Sequence, residues 1–156
     1  MRIFAITFGV VLLSGFAAAQ PAKPDLSPCA LVTKAEVQEA AGVAVSDGAP
    51  DPINKLICNF KIGDTGSSVT VLLTNKGSGD SAERTVAEMN KRKMSAAVAA
   101  GIGDCAYTSS PGYGMQQLGA YKGSRHVVVT VFIMGTPEAK AKAIAEKVMR
   151  KALTRL

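Results

Sequence analysis

The sequence predicts an α+β fold, with a mostly antiparallel sheet of about five to six strands and helices packed on one face. Alternating segments separated by glycine turns predict the strands, and amphipathic segments with capping signals predict the helices. Hydrophobic residues make up 47% of the 156 residues and charged residues 19%, which excludes a disordered chain. Aromatic residues are only 5%, so we expect an aliphatic core.

The N-terminal segment has the three parts of a secretory signal. Arg2 supplies the positive charge, residues 3–13 form an apolar run, and Ala17-Ala18-Ala19 forms a small-x-small cleavage site. An apolar run of this length falls below the ~20 residues of a membrane-spanning helix. We therefore expect a signal peptide at residues 1–19, the alternative being an N-terminal membrane anchor.

The rest of the chain is then expected to be exported, periplasmic or extracellular, with no stable membrane anchor. Residues 20–28 include three prolines and predict an extended linker. Residues 29–156 are predicted to form a single α+β domain.

The first predicted helix spans residues 34–41. Thr33 and Glu36 have the spacing of a capping box, and Gly42 can end the helix in a left-handed conformation. The alternating segments 56–62 and 69–74 then predict two strands of a hairpin.

A second helix is predicted from Asp80, which with Glu83 can cap it, to about Met94. Three further strands are predicted at residues 105–107, 115–121 and 126–134. Thr136-Pro137 predicts the start of a last helix, and its apolar face would consist of Ala141, Ile144, Val148 and Ala152.

Three pairs of short segments recur at offsets of 59 to 61 residues. They are Ala41-Gly42-Val43 with Ala100-Gly101-Ile102, Phe60-Lys61 with Tyr121-Lys122, and Val69-Thr70-Val71 with Val129-Thr130-Val131. A tandem helix-plus-hairpin repeat and chance matching of common residues both account for them.

Several motifs carry a family resemblance: Cys29-Ala30-Leu31-Val32-Thr33-Lys34-Ala35-Glu36-Val37, Cys58-Asn59-Phe60 and Gly101-Ile102-Gly103-Asp104. The chain resembles actinobacterial domain-of-unknown-function lipoproteins, which are similar to extracellular sensor domains of serine/threonine kinases. The resemblance covers most of residues 29–155. It implies a disulfide between the opening and the mid-strand cysteine and implies no catalytic residues. The chain departs from the family at Phe16, in place of the lipidated cysteine, and at Cys105, where an acidic residue is more usual.

The sequence allows more than one role for each of the three cysteines. Export permits a disulfide between Cys29 and Cys58, and two buried free thiols are the alternative. Cys105 can be a small buried hydrophobe, a dimer bridge or a nucleophile. A nucleophile needs a base, and nothing in the sequence places the single histidine, His126, beside it. These four residues also lack the spacing of a zinc site, so we expect no catalytic residues, no metal and no cofactor.

The chain is basic, which suggests an anionic surface as a partner. The formal net charge is +6, and Lys91-Arg92-Lys93 and the basic C-terminal helix could face an anionic surface. Solvated helix faces are the alternative. Nucleic acid is not expected, because we expect the chain to be exported and it offers few aromatic side chains for base stacking.

The last strand suggests the function. One of its faces, formed by His126, Val128, Thr130, Phe132 and Met134, is largely apolar and predicts a binding face, unless the final helix or a dimer mate covers it. We predict an exported, non-catalytic binding or sensor-like module whose partner is an unknown protein or small molecule. The alternatives are a protein inhibitor that binds an enzyme through this sheet face, and a small hydrolase using Cys105 and His126.

Overall fold

The computed structural model describes residues 26–156, so the predicted signal peptide and most of the predicted linker lie outside the described residues. After a 3-10 turn at Pro28–Ala30, the described chain forms three helices: α1 (Lys34–Ala41), α2 (Ala82–Lys91) and α3 (Glu138–Leu153). It also forms seven strands: β1 (Ala49–Pro50), β2 (Ile57–Ile62), β3 (Ser67–Asn75), β4 (Ser95–Ala99), β5 (Cys105–Gly112), β6 (Met115–Lys122) and β7 (Arg125–Phe132).

The strands form one antiparallel sheet with the order β1-β2-β3-β7-β6-β5-β4. Every neighbouring pair except β3–β7 consists of strands that follow each other along the chain. β3 and β7 are paired from Ser68–Phe132 to Asn75–Arg125. The predicted antiparallel α+β class is confirmed, and the predicted number of strands is too low.

The two strands that were not predicted lie at the two edges of the sheet. β1 has only two residues, and β4 has the sequence Ser-Ala-Ala-Val-Ala. Alanine has a weak strand propensity, so β4 owes its conformation to pairing with β5. The predicted second helix was therefore too long at its C-terminal end: α2 ends at Lys91, and Lys93 has a positive φ of 61° in the turn to β4.

The capping residues predicted for the three helices are correct for α1 and incorrect for α2 and α3. α1 has the predicted bounds, the complete capping box of Thr33 and Glu36, and Gly42 in the left-handed conformation. The other two predictions were wrong. Ser81, not Asp80, accepts the backbone N–H at the start of α2. Thr136 makes no capping bond to α3, which begins after Pro137.

The helices lie on both faces of the sheet, so the prediction that they pack on one face was wrong. On the first face, called here the α3 face, α3 covers β6 and β7 and contacts α1. The apolar residues predicted for the last helix, from Ala141 to Ala152, are all buried there. On the opposite face, called the α2 face, α2 packs on β4 and β5. It lies there because this half of the sheet also has large side chains on its second face, Tyr107 and Tyr121, which form a small cluster with Ala82.

The main core fills the space between the sheet and the pair α1 and α3. Its sheet layer contains Val69 and Val71 of β3 with Val127, Val129 and Val131 of β7, none of which is exposed to solvent. At its rim, Arg155 donates hydrogen bonds to the Glu36 carboxylate at 2.9 Å and to the Leu31 carbonyl at 2.8 Å. The hydrogen bond from Arg155 lowers the pKa of Glu36 to about 2.

The tandem helix-plus-hairpin repeat is not confirmed. The offset that relates the two hairpins does place Thr70 opposite Thr130 at the centre of the β3–β7 pair. The same offset, however, matches the C-terminal end of α1 with Ala100-Gly101, which follows strand β4 rather than a helix.

The predicted disulfide is confirmed. Cys29, in the 3-10 turn, is bonded to Cys58 of β2, with the two Cα atoms 5.0 Å apart. The bridge ties the start of the folded chain to the α3 face of the sheet, where Cys58 has no solvent exposure.

Replacing both Cys29 and Cys58 by serine should lower the free energy of unfolding by about 3–4 kcal/mol, because the loop of about 30 residues is no longer closed in the unfolded chain. Urea unfolding measures the change. Cys105→Ser, at the free and partly buried thiol, is the control and should change the free energy by less than about 1 kcal/mol. Equal losses in the two variants would contradict the assignment.

Gly119→Ala should destabilise the fold by about 1–3 kcal/mol. A Cβ atom at Gly119 would lie 2.2 Å from the Tyr107 ring, which crosses this position. Chemical denaturation measures the loss. In the double variant with Tyr107→Ser the ring is gone, so the effects of the two changes should not be additive. Strict additivity would show that the ring does not require the glycine.

Candidate functional site

Part of the α2 face has no helix over it. α2 lies mainly over β4 and β5 and touches β6, so within residues 26–156 no helix covers β2, β3 and the part of β7 after His126 on this side. We call this surface the open face. Its side chains are Ile57, Asn59 and Lys61 on β2, Ser68, Thr70 and Leu72 on β3, Val128, Thr130 and Phe132 on β7, and the adjacent Gln117 on β6.

The strand register places the polar side chains of this face in a row perpendicular to the strands. The order in the row is Asn59, Thr70, Thr130, Gln117 and Ser109. Neighbouring strands are ~4.8 Å apart, so the row extends for about 20 Å across five strands. The Gln117 amide donates to the Thr130 hydroxyl at 3.1 Å and accepts from the Ser109 hydroxyl at 3.2 Å. These bonds hold the amide in one orientation.

Less polar rows flank the polar row on both sides. One row consists of Ile57, Leu72 and Val128, and the other consists of Ser68 and Phe132, with Lys61 at its β2 end. Val128 is only 8% exposed, while Leu72 and Phe132 are partly exposed. The open face therefore presents hydroxyl and amide groups between aliphatic and aromatic strips, a combination that suits a ligand with both polar and apolar parts.

The covered part of the α2 face contains an aromatic cluster. Tyr121 is stacked on His126 with the ring centroids 4.3 Å apart, and the Tyr107 hydroxyl is 3.0 Å from Nε2 of His126. The Tyr121 hydroxyl is 2.8 Å from the Thr85 hydroxyl of α2. The cluster thus attaches α2 to the sheet.

Burial changes the acid–base properties of the cluster. Desolvation lowers the pKa of His126, which favours the neutral ring. Desolvation also raises the pKa of Tyr107 and of Tyr121, so both phenols stay protonated at neutral pH. Because the Tyr107 hydroxyl carries its proton, it can donate to the neutral imidazole.

The five residues predicted as a binding face occupy different environments. Thr130 and Phe132 lie on the open face. Val128 is nearly buried, and His126 belongs to the aromatic cluster. Met134 lies beyond the end of β7 and is 65% exposed. The structure therefore brings together part of the predicted set and adds polar residues of β2, β3 and β6.

Cys105 and His126 are placed on either side of Tyr121. Tyr121 is the register partner of Cys105 on one strand and of His126 on the other. The imidazole contacts the Tyr107 hydroxyl through Nε2 at 3.0 Å and the Thr74 hydroxyl through Nδ1 at 3.5 Å. Both ring nitrogens thus have neighbours other than the thiol.

The candidate zinc ligands do not converge. Cys29 and Cys58 bind each other in the disulfide, and residues 26–156 contain no group of three or more His, Cys, Asp or Glu side chains placed to hold a metal ion. The basic residues of α3 are exposed, and two of them form ion pairs within the helix, Lys142 with Glu138 and Arg150 with Glu146.

Comparisons with protein-family models, with curated proteins and with solved structures found no match to this chain.

The stability of the fold should decrease as the pH falls below about 6.5, the pKa of an unfolded histidine. The pKa of folded His126 is lowered, so in this range the unfolded chain binds a proton that the folded chain binds less readily. The free energy of unfolding stops falling once the pH is below the pKa of folded His126. The slope should be smaller than the ~1.4 kcal/mol per pH unit expected for one fully coupled proton, because the ring is partly exposed.

Urea unfolding at several pH values from 7.5 to 5 measures this dependence, and His126→Gln is the matched variant. His126 is the only histidine, so the dependence above about pH 6 should disappear in the variant, while any dependence that remains at lower pH comes from carboxyl groups with lowered pKa values, such as Glu36. An unchanged pH dependence would assign the effect to other groups.

Proposed function

We propose that this protein is an exported, non-catalytic binding or sensor-like module that binds its partner on the open face. The observation that carries the proposal is that α2 covers only one part of its face and leaves β2, β3 and the part of β7 after His126 uncovered. β7 is the central strand of the sheet and β3 lies next to it, and on this side both strands carry partly exposed apolar side chains, Leu72 and Phe132.

The composition of the open face supports a binding role. The five residues of its polar row are uncharged, and the charged groups lie at its β2 end, where the Asp51 carboxylate accepts from Asn59 at 3.0 Å and Lys61 is the register partner of Ser68. The whole chain, in contrast, has a formal net charge of +6. Depletion of charge with retention of aromatic and amide groups is typical of the centre of an interface.

The rigidity of the scaffold is a further argument. The polar row is carried by paired strands, and β3 and β7 also bury their other face in the main core. Side chains on such strands keep their positions without a ligand, which lowers the entropic cost of binding.

One feature agrees with export. The Cys29–Cys58 disulfide is compatible with an oxidising compartment. None of the helices within residues 26–156 has the length and apolarity to span a membrane.

The hydrogen bonds of the single histidine favour this proposal over a small hydrolase. A nucleophilic cysteine needs a base within hydrogen-bond reach, and the His126 ring instead contacts Tyr107 and Thr74. Cys105 fits better as a partly buried side chain beneath α2.

A protein inhibitor is the alternative proposal, and one surface feature favours a protein partner. The loop between β1 and β2 exposes Ile53 at 95% and Leu56 at 51%. Exposed aliphatic side chains at one loop suit contact with another protein.

Thr70→Arg should abolish binding, because Thr70 lies in the middle of the polar row. The free energy of unfolding should change by no more than about 0.5 kcal/mol, as for other partly exposed positions. Ala143→Arg adds the same charge on the exposed side of α3 and is the control. The wild type and both variants are incubated with the exported fraction of the native host, and retained proteins and small molecules are identified by mass spectrometry.

A species that the wild type and Ala143→Arg retain, and that Thr70→Arg loses, supports the open face. A protein in this role favours the inhibitor, and a small molecule favours the sensor-like module. Equal retention by all three proteins would contradict the proposal and direct attention to the basic surface of α3.

A further inference from the structure

The two edges of the sheet are protected in different ways. β1 is two residues long and ends at Pro50, which cannot donate a hydrogen bond to another strand. β4 spans Ser95–Ala99 and contains neither proline nor a charged residue. An edge strand with these properties is a template for pairing with another chain.

A side chain of α2 occupies the hydrogen-bonding positions in the middle of the β4 edge. The Asn90 amide nitrogen donates to the carbonyl of Ala96 at 3.1 Å, and its oxygen accepts the N–H of Ala96 at 2.9 Å. A peptide group of a partner strand would make the same two bonds. Asn90 therefore stands where the backbone of an added strand would lie.

The remaining outward groups of the edge can be located from the ladder. In an antiparallel strand, alternate residues direct both backbone groups to the same side. Ala96 points outward to Asn90, so Ala97 points toward β5 and Val98 points outward again. Val98 is 52% exposed, and no backbone group of residues 26–156 outside the ladder bonds its outward N–H and C=O.

We propose that β4 is a strand-pairing surface that fits β4 of a second copy of this chain, and that Asn90 keeps it closed. The fit follows from the symmetry of the edge. In an antiparallel pair centred on Ala97, Ala96 of one copy faces Val98 of the other, and the two copies exchange the same bonds. The small side chains at these positions allow close approach.

The basic run Lys91-Arg92-Lys93 adds an electrostatic barrier. Lys91 is the last residue of α2 and is ion-paired with Glu88, and Arg92 and Lys93 form the exposed turn to β4. A twofold axis perpendicular to the sheet would place the basic runs of both copies at opposite ends of the strand pair, where their repulsion is felt at low salt. Their repulsion is screened by salt, whereas the block by Asn90 is not. The run therefore acts against self-association, in the way that lysines protect other edge strands.

Asn90→Ala should convert a monomer into a protein that dimerises. Pairing of two wild-type edges requires four Asn90 hydrogen bonds to break, at roughly 0.5–1.5 kcal/mol each. The dimer dissociation constant should therefore fall by about tenfold or more in the variant. Sedimentation velocity over a concentration series measures it, at low salt and at ~0.5 M salt, where the Debye length is only a few Å. Dimerisation should be stronger at high salt.

Two further variants identify the edge. Val98→Lys in the Asn90→Ala protein adds a charge to the strand and should restore the monomer. Ala97→Cys in the Asn90→Ala, Cys105→Ser protein should form a disulfide-linked dimer under mild oxidation, because Ala97 would lie opposite its own copy at the closest pairing distance.

Circular dichroism establishes that each variant is folded. Asn90→Ser is the milder substitution, since its hydroxyl can make one of the two bonds, and it should dimerise less than Asn90→Ala but more than the wild type. A folded Asn90→Ala or Asn90→Ser protein that stays monomeric at high salt would overturn the proposal and leave Asn90 a role in the turn alone. Dimerisation without the Ala97→Cys link would overturn the assignment to β4.

Discussion

The pairing of β3 with β7 is the constraint on which the rest of the fold depends. All other strand pairs are between neighbours in the chain, and turns of a few residues can form them locally. β3 and β7 are separated by α2 and three strands, so their pairing closes a long loop and joins two otherwise independent hairpin units. The valines of both strands make this closure favourable, because they bury one continuous aliphatic surface under α3.

The same junction creates the open face. The first unit, β1 to β3, and the second unit, β4 to β7, contribute different residues to the α2 face. The first contributes Asn59, Thr70 and Leu72, and the second contributes Tyr107 and Tyr121. Only the second unit is preceded by a helix that packs on this side, because large aromatic side chains provide a surface for α2. The first unit has side chains that water can solvate. The polar row crosses from one unit to the other at Thr70–Thr130, so it exists only in the closed sheet.

Local signals in the sequence predicted most of the elements but not their arrangement. α1 was predictable to the residue because Thr33, Glu36 and Gly42 specify both of its ends by local hydrogen bonds. β4 was not, since alanines carry little strand signal and its conformation depends on β5. The alternation of Thr70 and Thr74 with Val69, Val71 and Leu73 did predict strand β3. Which strands would share the open face depends on the β3–β7 register, and no local pattern reports that register.

Helix α2 links the two surfaces proposed for interaction. Its first turns rest on Tyr121 and Tyr107, and its last turn places Asn90 against β4. If α2 covered more of the sheet, the open face would be lost; if it were shorter by one turn, the β4 edge would be exposed. The helix buries few large side chains, because Val86 and Met89 are only partly buried. The hydrogen bonds of Thr85 and Asn90 therefore do much to hold α2 in its position. In that position α2 leaves the open face accessible to a partner and closes the β4 edge to strand pairing.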